Sequence, residues 1–209
     1  MNDATKDKLT RKEAKERTRQ RLIDAVLEHV RKNGLTGLTT GRVADRAGIA
    51  QSSFYVHFSD MDDALRAAAD QAGEQIRALI RDARQRVDFS DPEAALHAAY
   101  QGALRALVDE PEFTELLLSH RRDRNSPLAA ALRRVLQEAR DDLAQDLARA
   151  GYADWFARDI DVYADLMVGM TLSAAEAVLD RRVRDQERLL RALAATTRAL
   201  LASARPPRG

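Results

Sequence analysis

The 209-residue chain contains no cysteine. That excludes a disulfide framework, thiol catalysis and every cysteine-ligated zinc or iron–sulfur site. It also fits a reducing compartment. Glycine and proline are scarce, with 9 and 5 copies, and aromatic residues make up only 5%. With so few turn-formers and so few β-branched or aromatic residues, a chain rich in Leu, Ala, Arg, Asp and Glu favours long helices over strands. No stretch alternates as a strand would, and no internal repeat is present. Long uncharged runs are also missing. The best membrane candidate, Val162 to Leu179, carries Asp165 and Glu176 and reads as a buried helix rather than a span. The opening MNDATKDKLTRKEAKERT is polar and lacks the pattern of a secretory signal. The expectation is a cytoplasmic protein with no membrane partner.

What remains is a folded chain with a sizeable core: 45% of residues are hydrophobic and 32% charged, a balance outside the disordered range. The net charge is +1, unevenly spread. Met1 to Phe58 holds 12 Lys+Arg against 7 Asp+Glu, and Ser59 to Gly209 holds 22 against 26. All five lysines (Lys6, Lys8, Lys12, Lys15 and Lys32) fall in the first segment. A basic head on an acidic body suits an anionic polymer. Charge alone fits a solvated lysine-rich tail as well.

Periodicity and capping residues predict nine helices, an all-α fold. The first runs from Lys12 to Lys32, with Leu22, Ile23, Val26, Leu27 and Val30 on one face. Asn33-Gly34 stops it, with Gly34 suited to a left-handed C′ position. Thr39 caps a second helix, Thr40 to Ala47, and Gln51 to His57 forms a third. A fourth, Met61 to Val87, is capped by Asp60 and buries Leu65, Ala69, Ala72, Ile76, Leu79, Ile80 and Val87. Pro92, Glu112, Pro127, Ala153 and Asp185 mark the starts of the remaining five.

The informative stretch is Leu38 to Leu65, LTTGRVADRAGIAQSSFYVHFSDMDDAL. Two short helices meet at a tight turn containing Gly48, with a longer helix on each side, which is the layout of a helix-turn-helix. Ala44 and Ala47 are small enough for close packing. Ile49, Phe54 and Phe58 fill a small core. Gln51, Ser52, Ser53, Tyr55 and His57 are left facing outward, and such groups can reach base edges or phosphates.

Ala47 to Phe58, AGIAQSSFYVHF, closely resembles the recognition segment of the TetR/AcrR family of bacterial transcriptional regulators. The similarity extends over Thr18 to Leu65. It implies an N-terminal three-helix DNA-binding domain with its basic arm, residues 1–58, and a helical ligand-binding and dimerisation domain, residues 59–209. It implies that Thr40 and Arg42 contact phosphates, that Gln51, Ser52 and Ser53 face the major groove, and that Tyr55 and His57 grip phosphates. The chain departs from the family at Ser59-Asp60-Met61, where many members carry a lysine, and at Gly41, where many carry a polar or basic residue. Phosphate affinity then leans on Arg11, Lys12, Lys15, Arg17 and Arg19.

For the body, the resemblance implies a homodimer through the last two helices, with Ala174, Val178, Leu179, Leu189, Leu193, Thr197 and Leu200 as interface candidates. It also implies an effector pocket, for which Tyr100, Leu104, Phe113, Leu117, His120, Arg121, Trp155, Phe156, Met167 and Met170 are candidate liners. The run His120-Arg121-Arg122-Asp123-Arg124 reads either as cations at a helix C-terminus or as a site for an anionic head group. Phe113 to Leu147 and Asp165 to Asp180 look like the family's regulators of fatty-acid desaturation and unsaturated fatty-acid synthesis, whose effectors are long acyl-CoAs. The expected function is a repressor of a palindromic DNA operator, modulated by a hydrophobic small molecule such as an acyl-CoA. No cofactor, metal or catalytic residue is expected. His29, His57, His97 and His120 are scattered, and no metalloprotease, phosphate-loop or nucleophile-elbow motif occurs. The rival readings are a helical interaction scaffold without a DNA role and an all-helical enzyme.

Overall fold

The computed structural model describes residues 10–85, 92–123, 127–149 and 159–203. The described residues form nine helices and no strand: α1 (Arg11–Asn33), α2 (Thr40–Arg46), α3 (Gln51–Phe54), α4 (Met61–Gln85), α5 (Pro92–Val108), α6 (Pro111–His120), α7 (Pro127–Leu147), α8 (Ile160–Leu179) and α9 (Gln186–Ser203). The chain divides into two compact units, Met1–Ala68 and Ala69–Gly209.

In the first unit, a capping box starts α1. Thr10 Oγ1 accepts from the Glu13 N–H, and Glu13 Oε2 accepts from the Thr10 N–H at 2.7 Å. Leu22, Ile23, Val26 and Val30 line its buried face, as their 3–4 residue spacing predicts. Gly34 ends the helix with a positive φ of 59°, but its ψ of −143° lies outside the left-handed helical well, in a region glycine alone enters readily. Thr39 caps α2, its hydroxyl accepting from the Arg42 N–H. Phe54 and Phe58 are buried with Val43 and Ala44, while Ile49, expected in this core, is half-buried.

Two other expectations are corrected. The third helix ends at Phe54, not at His57. Its bonds tighten to the i→i+3 spacing of a turn, from Val56 N–H to the Ser53 carbonyl and from His57 N–H to the Phe54 carbonyl. Leu79 is exposed rather than core-facing. The buried stripe Leu65, Ala69, Ala72, Ile76 leads on to the half-buried Ile80, and Leu79 lies beside it.

In the second unit α5 packs against α9 and α8, α7 against α8, and α6 against α5, α7 and α8. Glycines set two close crossings. A Cβ on Gly73 would lie 2.4 Å from Val135 Cγ2, and one on Gly102 would lie 2.3 Å from the Ala83 Cβ. The α8 helix is long and apolar enough to cross a membrane, yet it buries Ala164, Met167, Leu172, Ala174, Ala175 and Ala177 among the neighbouring helices. The ends expected for the fourth, seventh and eighth helices at Val87, Ala150 and Ala153 lie outside the described residues.

Candidate nucleic-acid interface and effector cavity

The turn between α2 and α3 depends on Gly48. Its φ is +67°, a conformation that L side chains resist. The Gly48 N–H bonds to the Asp45 carbonyl at 3.1 Å and the Ile49 N–H to the Ala44 carbonyl at 3.0 Å, which closes the corner. The starts of the two helices are then tied directly, Gln51 Nε2 donating to Thr40 Oγ1 at 2.9 Å. The contact does not require Gly41: a Cβ there would sit 3.7 Å from the Gln51 amide, an ordinary van der Waals distance. Arg42 donates Nη1 to the Gly37 carbonyl at 3.0 Å, holding the preceding loop. Gln51 and Ser52 are exposed and Ser53 is half-buried.

Tyr55 is 56% exposed, although its ring meets Phe54 edge-on at 5.5 Å. The helix turns Phe54 inward and Tyr55 outward. His57 is half-buried, and its Nδ1 is buried without a hydrogen-bond partner. Burial, together with the charges of Lys15 and Arg19, holds its pKa below the usual histidine value. Glu16, also on α1, acts in the opposite direction. Arg19 also lies over the Phe58 ring, 4.8 Å from its centroid. By contrast, Lys32 and Arg46 both pair with Glu28, each at 2.8 Å. At the start of α4, Asp63 N–H donates to Asp60 Oδ1 at 2.8 Å, and Ser59 N–H to Asp63 Oδ2 at 3.1 Å. Carboxylates therefore satisfy the α4 N-terminus, where a phosphate would otherwise find open N–H groups.

The second unit holds a partly open apolar cavity of about 100 Å³ between α4, α5, α6, α7 and α8. Ile76, Ile80, Leu96, Tyr100, Phe113, Leu117, Val135, Leu136, Met167 and Leu172 supply much of its wall. The Tyr100 hydroxyl and Thr197 Oγ1 are 2.5 Å apart in a buried hydrogen bond that joins α5 to α9. Burial pushes the Tyr100 pKa up, and the Thr197 hydrogen bond pulls against it. A ladder of ion pairs links α4 to α7 along the cavity. Arg77 donates to Asp142 at 2.9 Å and to Glu138 at 2.5 Å, Arg81 to Asp142 at 3.3 Å, and Arg84 to Asp146 at 2.6 Å.

Residues 22–68 match the family model of bacterial regulatory proteins of the tetR family. An HTH-type transcriptional regulator of Haemophilus influenzae is 29% identical over 177 residues, covering 84% of each chain. The chain is similar to the tetR family of bacterial regulatory proteins over that N-terminal segment. The chain is also similar in fold to two solved structures. One is a transcriptional regulator from Pseudomonas aeruginosa PAO1, with TM-score 0.71, 16% identity and coverage of 97% of this chain and 98% of that one. The other is the transcriptional regulator FadR from Bacillus subtilis in complex with stearoyl-CoA, with TM-score 0.64, 18% identity and coverage of 88% and 98%.

Among the expected pocket residues, Tyr100, Phe113, Leu117 and Met167 line the cavity. Leu104 is buried outside the lining. Met170 packs on the cluster of Leu147, Met167 and Leu201. His120 and Arg121 stand at the α6 C-terminus, where His120 Nδ1 lies 3.2 Å from the Leu116 carbonyl. Trp155 and Phe156 lie outside the described residues. Sequence reasoning missed Arg77, Arg84 and Asp142 as liners, because helix-surface charges give no sign of which face they border.

The expected interface residues divide in two. Ala174, Leu193 and Thr197 are buried within the chain, and Val178, Leu179, Leu189 and Leu200 are half-buried. The exposed stripe on α8 is Val162, Leu166, Gly169 and Ser173, and on α9 it is Ala192, Ala195, Thr196 and Ala199.

Proposed function

We propose that the chain is a cytoplasmic, homodimeric repressor that binds a palindromic DNA operator and is modulated by a hydrophobic effector of the acyl-CoA class. The observation that carries the DNA-reading assignment is the placement of Arg19 over the Phe58 ring, beside the turn that exposes Gln51, Ser52 and Tyr55. Gln51, Ser52 and Ser53 read base edges. Tyr55, His57, Thr40, Arg42 and the α1 arm hold phosphates. The acidic cap of α4 supports assigning backbone affinity to the arm rather than to that helix end.

The dimer reading draws support from the exposed stripes on α8 and α9. A Cβ added to Gly169 would meet no atom within 4 Å, so a partner helix can approach closely there. Two-fold pairing would present two recognition helices to successive major grooves. The effector reading draws support from the apolar cavity and from the Bacillus subtilis neighbour, whose structure is a complex with stearoyl-CoA. A cavity of about 100 Å³ is smaller than the roughly 300–1,000 Å³ of a drug-sized ligand pocket. Filling it would therefore separate α4 from α7 at the Gly73–Val135 crossing and strain the arginine ladder. Because α4 begins in the first unit and ends in the second, that displacement favours a state with poorer operator fit.

Selecting bound sites from a random duplex library tests the reading. An enriched inverted repeat that long-chain acyl-CoA releases is the expected outcome. No enrichment from folded, effector-free protein would favour a scaffold with no DNA role.

A further inference from the structure

One arginine at the end of α6 buries a donor that has no acceptor. Arg121 follows His120 in right-handed helical conformation, φ −55° and ψ −21°, and its backbone N–H bonds to the Leu117 carbonyl at 3.2 Å. It continues the spiral of α6. Leu117, four residues before it, and Phe113, eight before it, line the cavity, and Arg121 stands one turn beyond that wall. Its Nη1 is buried and has no hydrogen-bond partner. Burial lowers the guanidinium pKa. Arg122 and Arg140 act in the same direction, and the Glu176 carboxylate opposes them.

The ordinary partners of such a side chain are already engaged. Arg133 donates Nη1 to the carbonyls of Arg121 and Asp123 at 3.2 and 3.1 Å, which closes the negative end of α6. Asp165 accepts from Arg140. The two arginines of the cavity wall, Arg77 and Arg84, have carboxylate partners. A guanidinium N–H buried without an acceptor is costly and calls for a missing ion or ligand.

We propose that Arg121 receives the anionic head group of an amphipathic effector whose alkyl part occupies the cavity. This rests on the effector reading of the cavity given above and adds the chemistry of the head. Carboxylate and phosphate oxygens both suit a guanidinium, which offers them parallel N–H donors. A neutral head would leave Nη1 unserved. The effector class is therefore a fatty molecule with an anionic head, either a carboxylate or phosphates such as those of an acyl-CoA, not a neutral lipid.

The test uses the full chain, stripped of bound lipid, titrated with decanoate, decyl phosphate and decanol. Wild type, Arg121→Gln and Arg121→Lys are compared. Wild type should bind at least one anion about tenfold or more tightly than decanol, in line with a charged hydrogen bond. Arg121→Gln should lose that advantage and leave decanol affinity unchanged, while Arg121→Lys should retain part of it. Which anion wins separates the carboxylate source from the phosphate source. Without ligand, Arg121→Gln should melt no lower than wild type, since it removes a buried N–H donor that has no acceptor. A lower melting temperature would mean a structural role and overturn the proposal. Equal affinity of wild type and Arg121→Gln for the preferred anion would overturn it too, with the cavity reading intact. Binding of decanol with no anionic advantage in wild type would do the same. If decanol and both anions all fail to bind, the cavity reading falls and takes this inference with it.

Discussion

Tyr55 and Phe54 are adjacent in sequence and opposite in role. Phe54 is fully buried, whereas Tyr55 keeps more than half its surface in solvent. Tyr55→Ala should therefore weaken operator binding about tenfold or more, the value of one hydrogen bond to a charged group, with an unchanged thermal midpoint. A lower midpoint with unaltered DNA affinity would make the ring a packing element instead. Tyr100 is the converse case. Tyr100→Phe strands the buried Thr197 hydroxyl and should cost about 1–3 kcal/mol of stability in urea melts. His57 carries a pH prediction. Its folded pKa lies below the ordinary value, chiefly through burial and then through Lys15 and Arg19. The unfolded ring takes up its proton first as pH falls below about 6.5, so the His57 contribution is present above that pH and is lost toward the lower folded pKa. His57→Gln should flatten the fall in stability between neutral pH and that lower value, as seen in denaturant melts across the range. A slope identical to wild type would contradict the assignment.

At the scale of elements, the α1 arm is expected to carry much of the backbone affinity, because Asp60 and Asp63 occupy the α4 N-terminus. Replacing Lys15 and Arg19 by Gln should lower the slope of log affinity against log salt by about 0.9 for each phosphate that is no longer neutralised. An unchanged slope would assign phosphate binding to other side chains. The elements that were legible in the sequence are those with local signals. Thr39 caps α2, Gly48 makes the turn, and 3–4 residue spacing of Leu and Val marks the buried face of α1. Features that depend on distant partners were not legible. Arg77 meets Asp142, 65 positions away, and nothing near either residue announces the pair. Leu79 and Ile80 are adjacent and equally apolar, so only the accumulated rotation of α4 decides which one faces the cavity. The outward faces of the last two helices are hard to read for a related reason. Ala174, Leu193 and Thr197 serve the chain's own core, while the exposed α8 and α9 stripes combine Val162 and Leu166 with the small residues Gly169, Ser173, Ala192, Ala195 and Ala199.

In the whole molecule, two units carry separate chemistry: a DNA-reading head and a helical body with an apolar cavity. The body's tight points are Gly73 against Val135 and Gly102 against Ala83. Gly73→Val should force α4 and α7 apart, destabilise the protein by about 1–3 kcal/mol as overpacking does, and weaken operator binding without any effector. Wild-type operator affinity in a destabilised Gly73→Val would break the proposed link between that crossing and the DNA state. Reading of a two-fold operator by a dimer is best tested by selecting sites from a random duplex library and then measuring the stoichiometry and salt dependence of the best one. The expected site is an inverted repeat with half-sites about one helical turn apart or a multiple of it. Whole dimers should bind it, and affinity should fall steeply with salt. A single asymmetric half-site bound by one chain, or no enriched sequence at all, would contradict the dimeric reading.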